Sequence, residues 1–125
     1  MVNALVAAAG VLSVFGAGVL AGANTFGTPK SVIHVITVQW KADATAEQKT
    51  AAIEGVKKMA GEIPGIKNVW LKTLKVQPGG YSNVIVMEFQ DQAAFERYTG
   101  DPAHKAWEKI YLPIREESRT HDATN

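Results

Sequence analysis

No cysteine occurs among the 125 residues. That removes disulfide frameworks, thiolate metal sites and cysteine nucleophiles together, so the compartment must be read from other signals. A surplus of one charge is also missing, since 13 Lys and Arg stand against 12 Asp and Glu for a net +1. With no basic stripe interleaved with aromatics, nucleic acid is not an expected partner. His34, His104, His121 and Asp122 are the nitrogen and oxygen donors a metal would need, but no two histidines stand at helical spacing with an acid between them. Neither a metal nor any other cofactor is expected. No internal repeat is evident, and the length fits one small domain with a single core.

Charge is absent in a more telling way from the first 29 residues, since the first charged side chain is Lys30. Residues 4–23 form an apolar run ending in Ala21-Gly22-Ala23, the h-region and small-residue cleavage pattern of a secretory signal. Cleavage after Ala23 is expected. A run of about 20 residues also has the length of an uncleaved anchor, the one route by which a membrane enters the reading. A helix of the folded domain fits less well, because the run has no polar face and carries Gly10, Gly16, Gly18 and Gly22. The expected organisation is a leader over 1–23, a linker over 24–31 and a folded domain over 32–125, exported to the periplasm or beyond.

The domain begins with a β-branched run, residues 32–41, that reads as a strand. Its alternation puts Val32, His34, Ile36, Val38 and Trp40 on one side and Ile33, Val35, Thr37, Gln39 and Lys41 on the other. Thr45-Ala46-Glu47-Gln48 is a capping box, and the helix it opens carries Ala52, Ile53, Val56, Met59, Ala60 and Ile63 at three- and four-residue spacing. Ile63-Pro64-Gly65 ends it. Residues 66–76 and 81–90 have strand composition around the turn Gln77-Pro78-Gly79-Gly80, and together predict an antiparallel hairpin. Asp91 caps a further helix that breaks at Gly100 and resumes from Pro102 to Pro113, and residues 118–124 are a weak last strand.

Strand, helix, strand, strand, helix, strand is an α+β order, the ferredoxin-like βαββαβ with an antiparallel four-stranded sheet. Two helices cover only one sheet face. Apolar residues on both sides of the strands therefore predict a homodimer in which two sheets face each other as a dimeric α/β barrel.

Reactive side chains and backbone signals coincide in one stretch, Tyr98-Thr99-Gly100-Asp101-Pro102-Ala103-His104. Asp101 is a good N-cap, Pro102 suits the first helical position, and His104 then falls in the first turn. The helix dipole there opposes a positive charge and favours a neutral, proton-accepting imidazole. The same histidine could instead simply complete the turn by hydrogen bonding, and His34, on the more apolar strand face, could be a satisfied core residue. Trp40, Trp70 and Trp107 read as packing, and Lys57-Lys58 as solvated helix surface.

From Val32 onward the chain resembles the stress-responsive dimeric α/β-barrel (Dabb) family. The resemblance rests on a first strand with an early histidine and an aromatic-Lys end (His34 to Trp40-Lys41), Thr45 to Lys49, Ile63-Pro64-Gly65-Ile66, Val86-Met87-Glu88-Phe89 and Pro102-Ala103-His104. It implies paired ferredoxin-like subunits and does not by itself name a reaction. A plant polyketide cyclase of this family closes a linear poly-ketone by an intramolecular aldol step, and its pattern falls on His34, Tyr98, His104 and Asp122. The similarity implies His104 as general base, Tyr98 as donor to the enolate oxygen, Asp122 as the carboxylate holding the base, and His34 as a second donor. The cyclase's aromatic first-helix lining is replaced here by Ala52, Ile53 and Val56, and its apolar last strand by Ser118 and Thr120. The implied site is a pocket between sheet and helices, walled by Ile36, Val56, Trp107 and Tyr111 and suited to a small apolar or aromatic ligand. The expected function is that of an exported stress-response homodimer with such a pocket, the alternative being a cyclase-like or lyase enzyme.

Overall fold

Alternation in the first strand decides what each sheet face does. In the computed structural model, which describes residues 25–125, β1 (Val32–Trp40) buries Val32, His34, Ile36, Val38 and Trp40 while the intervening side chains stay half-exposed. The other elements are α1 (Ala46–Glu62), β2 (Ile66–Trp70), β3 (Asn83–Phe89), α2 (Gln92–Tyr98), α3 (Pro102–Tyr111) and β4 (Arg115–Ala123), with one 3-10 turn, Leu112–Ile114, before β4. The sheet runs β2-β3-β1-β4 with antiparallel neighbours throughout, which is the ferredoxin-like fold. The leader expected over 1–23 lies outside the described residues. Among the described residues no helix is long and apolar enough to cross a membrane.

α1 starts where the capping box requires. Gln48 N–H donates to Thr45 Oγ1 at 3.1 Å and Thr45 N–H donates to Gln48 Oε1 at 2.9 Å, which satisfies two helix-end donors reciprocally. Its inner face, Ala52, Val56 and Met59, packs with Ile63 against Ile85, Met87 and Phe89 of β3. Full burial of each large side chain contributes about 1.5–3 kcal/mol. α3 is fastened to α1 by Trp107, whose indole N–H donates to the Ala52 carbonyl at 2.8 Å. The bare Gly55 permits this approach, since a Cβ there would stand 3.1 Å from the Trp107 ring.

Two strands differ from the expected bounds by three residues or more. β2 stops at Trp70 instead of continuing to residue 76, because the Val84 N–H that would extend the ladder donates to the Thr73 hydroxyl at 2.9 Å. β4 begins earlier than residue 118, at Arg115, and its polar composition is tolerated because it lies at the sheet edge beside β1.

The face without helices carries one continuous row. Trp70 pairs with Val86, Val86 with Val35, and Val35 with His121, so the row crosses all four strands. Trp70 is 51% exposed there.

Gly65 makes the sharp entry into β2 at φ +94°, and a Cβ on it would meet the Ala94 Cβ of α2 at 2.5 Å. Left-handed strain of about 1–2 kcal/mol adds to a clash that α2 cannot relieve without moving. Gly65→Ala is expected to cost about 3 kcal/mol or more, read as a lower urea midpoint at unchanged slope. A loss under about 1 kcal/mol would contradict this account.

Candidate functional site

The break between α2 and α3 places the site. Asp91 caps α2 by accepting from Ala94 N–H, and Asp101 caps α3 by accepting from Ala103 N–H, each at 2.8 Å. Tyr98 therefore ends one helix and His104 lies in the first turn of the next, with their rings 4.3 Å apart edge to face. Tyr98 also lies 5.7 Å from the His34 ring, so it stands between the two histidines. Phe89 and Phe95 close the apolar side of His34, with ring centres 6.2 and 5.5 Å from it.

Antiparallel register sets His34 directly opposite Asp122 of β4 on the helix-covered side. His34 Nδ1 donates to Asp122 Oδ1 at 2.5 Å, which fixes the tautomer and turns Nε2 away from the carboxylate. This corrects the expectation that Asp122 holds His104. The carboxylate near His104 is Glu108, one helical turn on, whose Oε1 is 3.5 Å from His104 Nδ1 and whose Oε2 faces Lys105 Nζ at 3.4 Å. Sequence reading missed Glu108, although spacing of four in a helix puts it on the same face as His104.

A cleft of about 180 Å³, open on one side, lies between sheet and helices. His34, Tyr98 and His104 line it together with Ile36, Trp107 and Tyr111, while Thr99, Glu108, Leu112, Arg115, Ser118 and Thr120 complete its walls. Val56, expected as a wall, is instead fully buried in the helix–sheet core, and Asp122 reaches the cleft only through His34. His104 Nδ1 and Tyr111 Oη are buried with no hydrogen-bond partner. Buried polar atoms are usually satisfied, so two orphans on one cleft mark a place where a polar ligand or water would be held.

The electrostatics separate the two ring systems. Burial lowers the His104 pKa below its ordinary value, and the Glu108 carboxylate and Thr99 backbone, which favour the imidazolium, offset this only in part. The neutral state matches the expectation, but its leading cause is burial and not the helix dipole. Burial also pushes the Tyr98 phenol far above its usual range, with Glu108 adding to it, so Tyr98 keeps its proton. The cleft therefore pairs a neutral imidazole with a protonated phenol.

A linkage effect follows from His104. Its folded pKa lies below the unfolded value of about 6.5, so in the window between the two the unfolded chain binds the extra proton. Stability is complete above about pH 6.5 and falls as pH drops through that window. NMR titration of the His104 ring should give a midpoint below that of a histidine in a short peptide, and His104→Gln should remove this part of the pH dependence. A midpoint at or above the peptide value would refute it.

Comparison with known proteins places the fold. Olivetolic acid cyclase from Cannabis sativa is 27% identical over 97 residues, covering 75% of this chain and 96% of the cyclase. A dimeric ferredoxin-like protein from Thermobifida fusca superposes with a TM-score of 0.67 at 21% identity, over 82% of this chain and 97% of its own. Hydroxynitrile lyase from Passiflora edulis superposes with a TM-score of 0.69 at 17% identity, over 76% and 93%. At such identities the two structures speak for the fold. The model of the Stress responsive A/B Barrel Domain matches residues 32–125, and with most of its length so matched the chain belongs to that family.

Proposed function

We propose that the protein is an exported homodimer of this family whose cleft binds a small carbonyl compound and removes a proton from the carbon beside the carbonyl, so that the enolate adds to a second carbonyl and a carbon–carbon bond forms. In the cleaving direction the same base takes the hydroxyl proton as that bond breaks. The observation that carries the reading is the convergence of His34, Tyr98 and His104 on one cleft, with His34 held by Asp122. His104, neutral and buried, accepts the proton. Tyr98 donates a hydrogen bond to the enolate oxygen, where developing negative charge is stabilised most effectively by a fixed donor. His34, oriented by Asp122, is a second donor to the same oxygen or to the leaving group. Olivetolic acid cyclase, a relative by sequence, supports a ring-closing version of this chemistry, and the lyase fold neighbour a bond-cleaving one.

Pairing through the helix-free face is supported by the row Trp70, Val86, Val35 and by the dimeric description of the Thermobifida fusca protein. Export is supported by the uncharged stretch that precedes Lys30.

The direct test is solvent deuterium exchange. The full chain is incubated in D2O with a panel of small ketones, β-diketones and aldehydes, and binding and exchange beside the carbonyl are followed separately by NMR. Exchange above the buffer rate is expected for the compounds that bind. Binding without exchange across the panel would leave a carrier in place of an enzyme.

A further inference from the structure

The helix-covered side of β4 carries a feature that the acid–base reading does not use. Thr120 pairs with Ile36 and Ser118 with Val38, so simple alternation would bring Glu116 next onto the cleft side. The register instead shifts at Gln39/Trp40, where Gln39 pairs with Glu117 but Trp40 pairs with Arg115. One extra residue is absorbed in β4. Such bulges re-aim side chains beside functional sites. Here the bulge leaves Glu116 exposed and sets Arg115 in the cleft wall beside Ser118 and Thr120. A carboxylate is thereby replaced by a guanidinium.

We propose that Arg115, with Ser118 and Thr120, forms an anion-binding wall of the cleft and that the ligand is a small carboxylate with an apolar body. This rests on the reading of the cleft as a ligand site given above. Arg115 is held in place, since its guanidinium lies 5.5 Å from the centre of the Tyr111 ring and Nη1 donates to Ser118 Oγ at 3.3 Å. Yet no carboxylate lies within 4.0 Å of it among the described residues, whereas Arg119, two strand positions past Glu117, pairs with that residue at 3.3 Å. A guanidinium has five N–H donors in a planar fork suited to a carboxylate, and most of these remain available. The acid that lines the cleft, Glu108, is already matched by Lys105 at 3.4 Å. The uncompensated charge of the cleft is therefore positive, and it sits at the Arg115 end.

The dimensions agree. A cavity of about 150 Å³ accommodates benzene, and this cleft holds about 180 Å³ with one side open. A ring-sized body against Ile36, Trp107 and Leu112 leaves room for a carboxylate at Arg115. The carboxylate anchors one end and the reacting carbon lies near Tyr98 and His104.

The experiment compares benzoate with benzamide, which share a shape and differ in charge, by NMR titration of the full chain with side-chain signals of Arg115, His34 and His104 assigned. Benzoate is expected to bind about tenfold more tightly than benzamide, to shift the Arg115 Nε–H signal, and to weaken as salt rises. Arg115→Gln should reduce benzoate affinity about tenfold and leave benzamide unchanged. Equal affinity of the two probes in the wild type, or benzoate shifts confined to Lys105 and Lys109 outside the cleft, overturns the carboxylate inference while the cleft stands as a site. If neither probe moves any cleft signal, the ligand-site reading falls and this inference with it. The wild-type comparison decides the matter even if Arg115→Gln does not fold.

Discussion

His104→Gln is expected to lower the rate of proton exchange beside a bound carbonyl by about 10²–10⁴-fold, the usual contribution of a positioned general base. Glutamine keeps a polar side chain of similar reach against Tyr98 and so preserves packing at the helix break, but it cannot accept a proton at neutral pH. Tyr98→Phe should cost about 10²–10³-fold, because it removes a donor aimed at the developing oxyanion and leaves the ring contacts with His34 and His104 in place. Asp122→Asn separates the two histidines. Its carboxylate holds His34 and not His104, so its loss should be far smaller, about tenfold or less. In a triad where the carboxylate orients the base itself, the asparagine variant loses about 10⁴-fold. Single-turnover exchange rates for the three variants decide between the assignments: an Asp122→Asn loss as large as that of His104→Gln would make His34 the base.

The helix-break half of this site was legible because its signals are local. Asp101, Pro102 and the capping box at Thr45 each act within one turn, and the structure has all three in those roles. The alternation of β1 likewise put His34 on the covered face. The other half depends on pairing between strands distant in sequence. β4, with its composition REESRTHDA, has no apolar period to declare a face, so its orientation comes from its register against β1. That register joins Asp122 to His34, and the bulge opposite Trp40 brings Arg115 into the cleft; neither is encoded in any short window. The premature end of β2 is of the same kind, a Thr73 hydroxyl 11 residues from Val84 displacing a backbone partner. Val56 was misplaced for a simpler reason. Helical spacing identifies an inner face but not which inner residues meet a cavity and which meet the sheet.

The stability of the core and the geometry of the site meet at Phe89. It is fully buried at the end of β3, its ring 5.1 Å from Tyr98, 5.3 Å from Phe95 and 6.2 Å from His34. Phe89→Ala is expected to destabilise the domain by about 3–5 kcal/mol, the sum of lost transfer free energy and the cavity left among rings that cannot collapse into it. For a domain whose total stability is about 5–15 kcal/mol, this is more than half of the lower value and is read directly as a reduced denaturant midpoint. Phe89→Leu keeps most of the volume and should cost about 1–2 kcal/mol. The two substitutions also separate packing from positioning. Because Phe89 supports both Tyr98 and His34 from beneath, the alanine variant, assayed well below its melting temperature, should lose carbonyl-exchange rate beyond its unfolded fraction, whereas the leucine variant should retain most of it. An alanine variant whose residual activity tracks only the folded fraction would show that the α2–α3 break holds Tyr98 and His104 in register without the sheet beneath them.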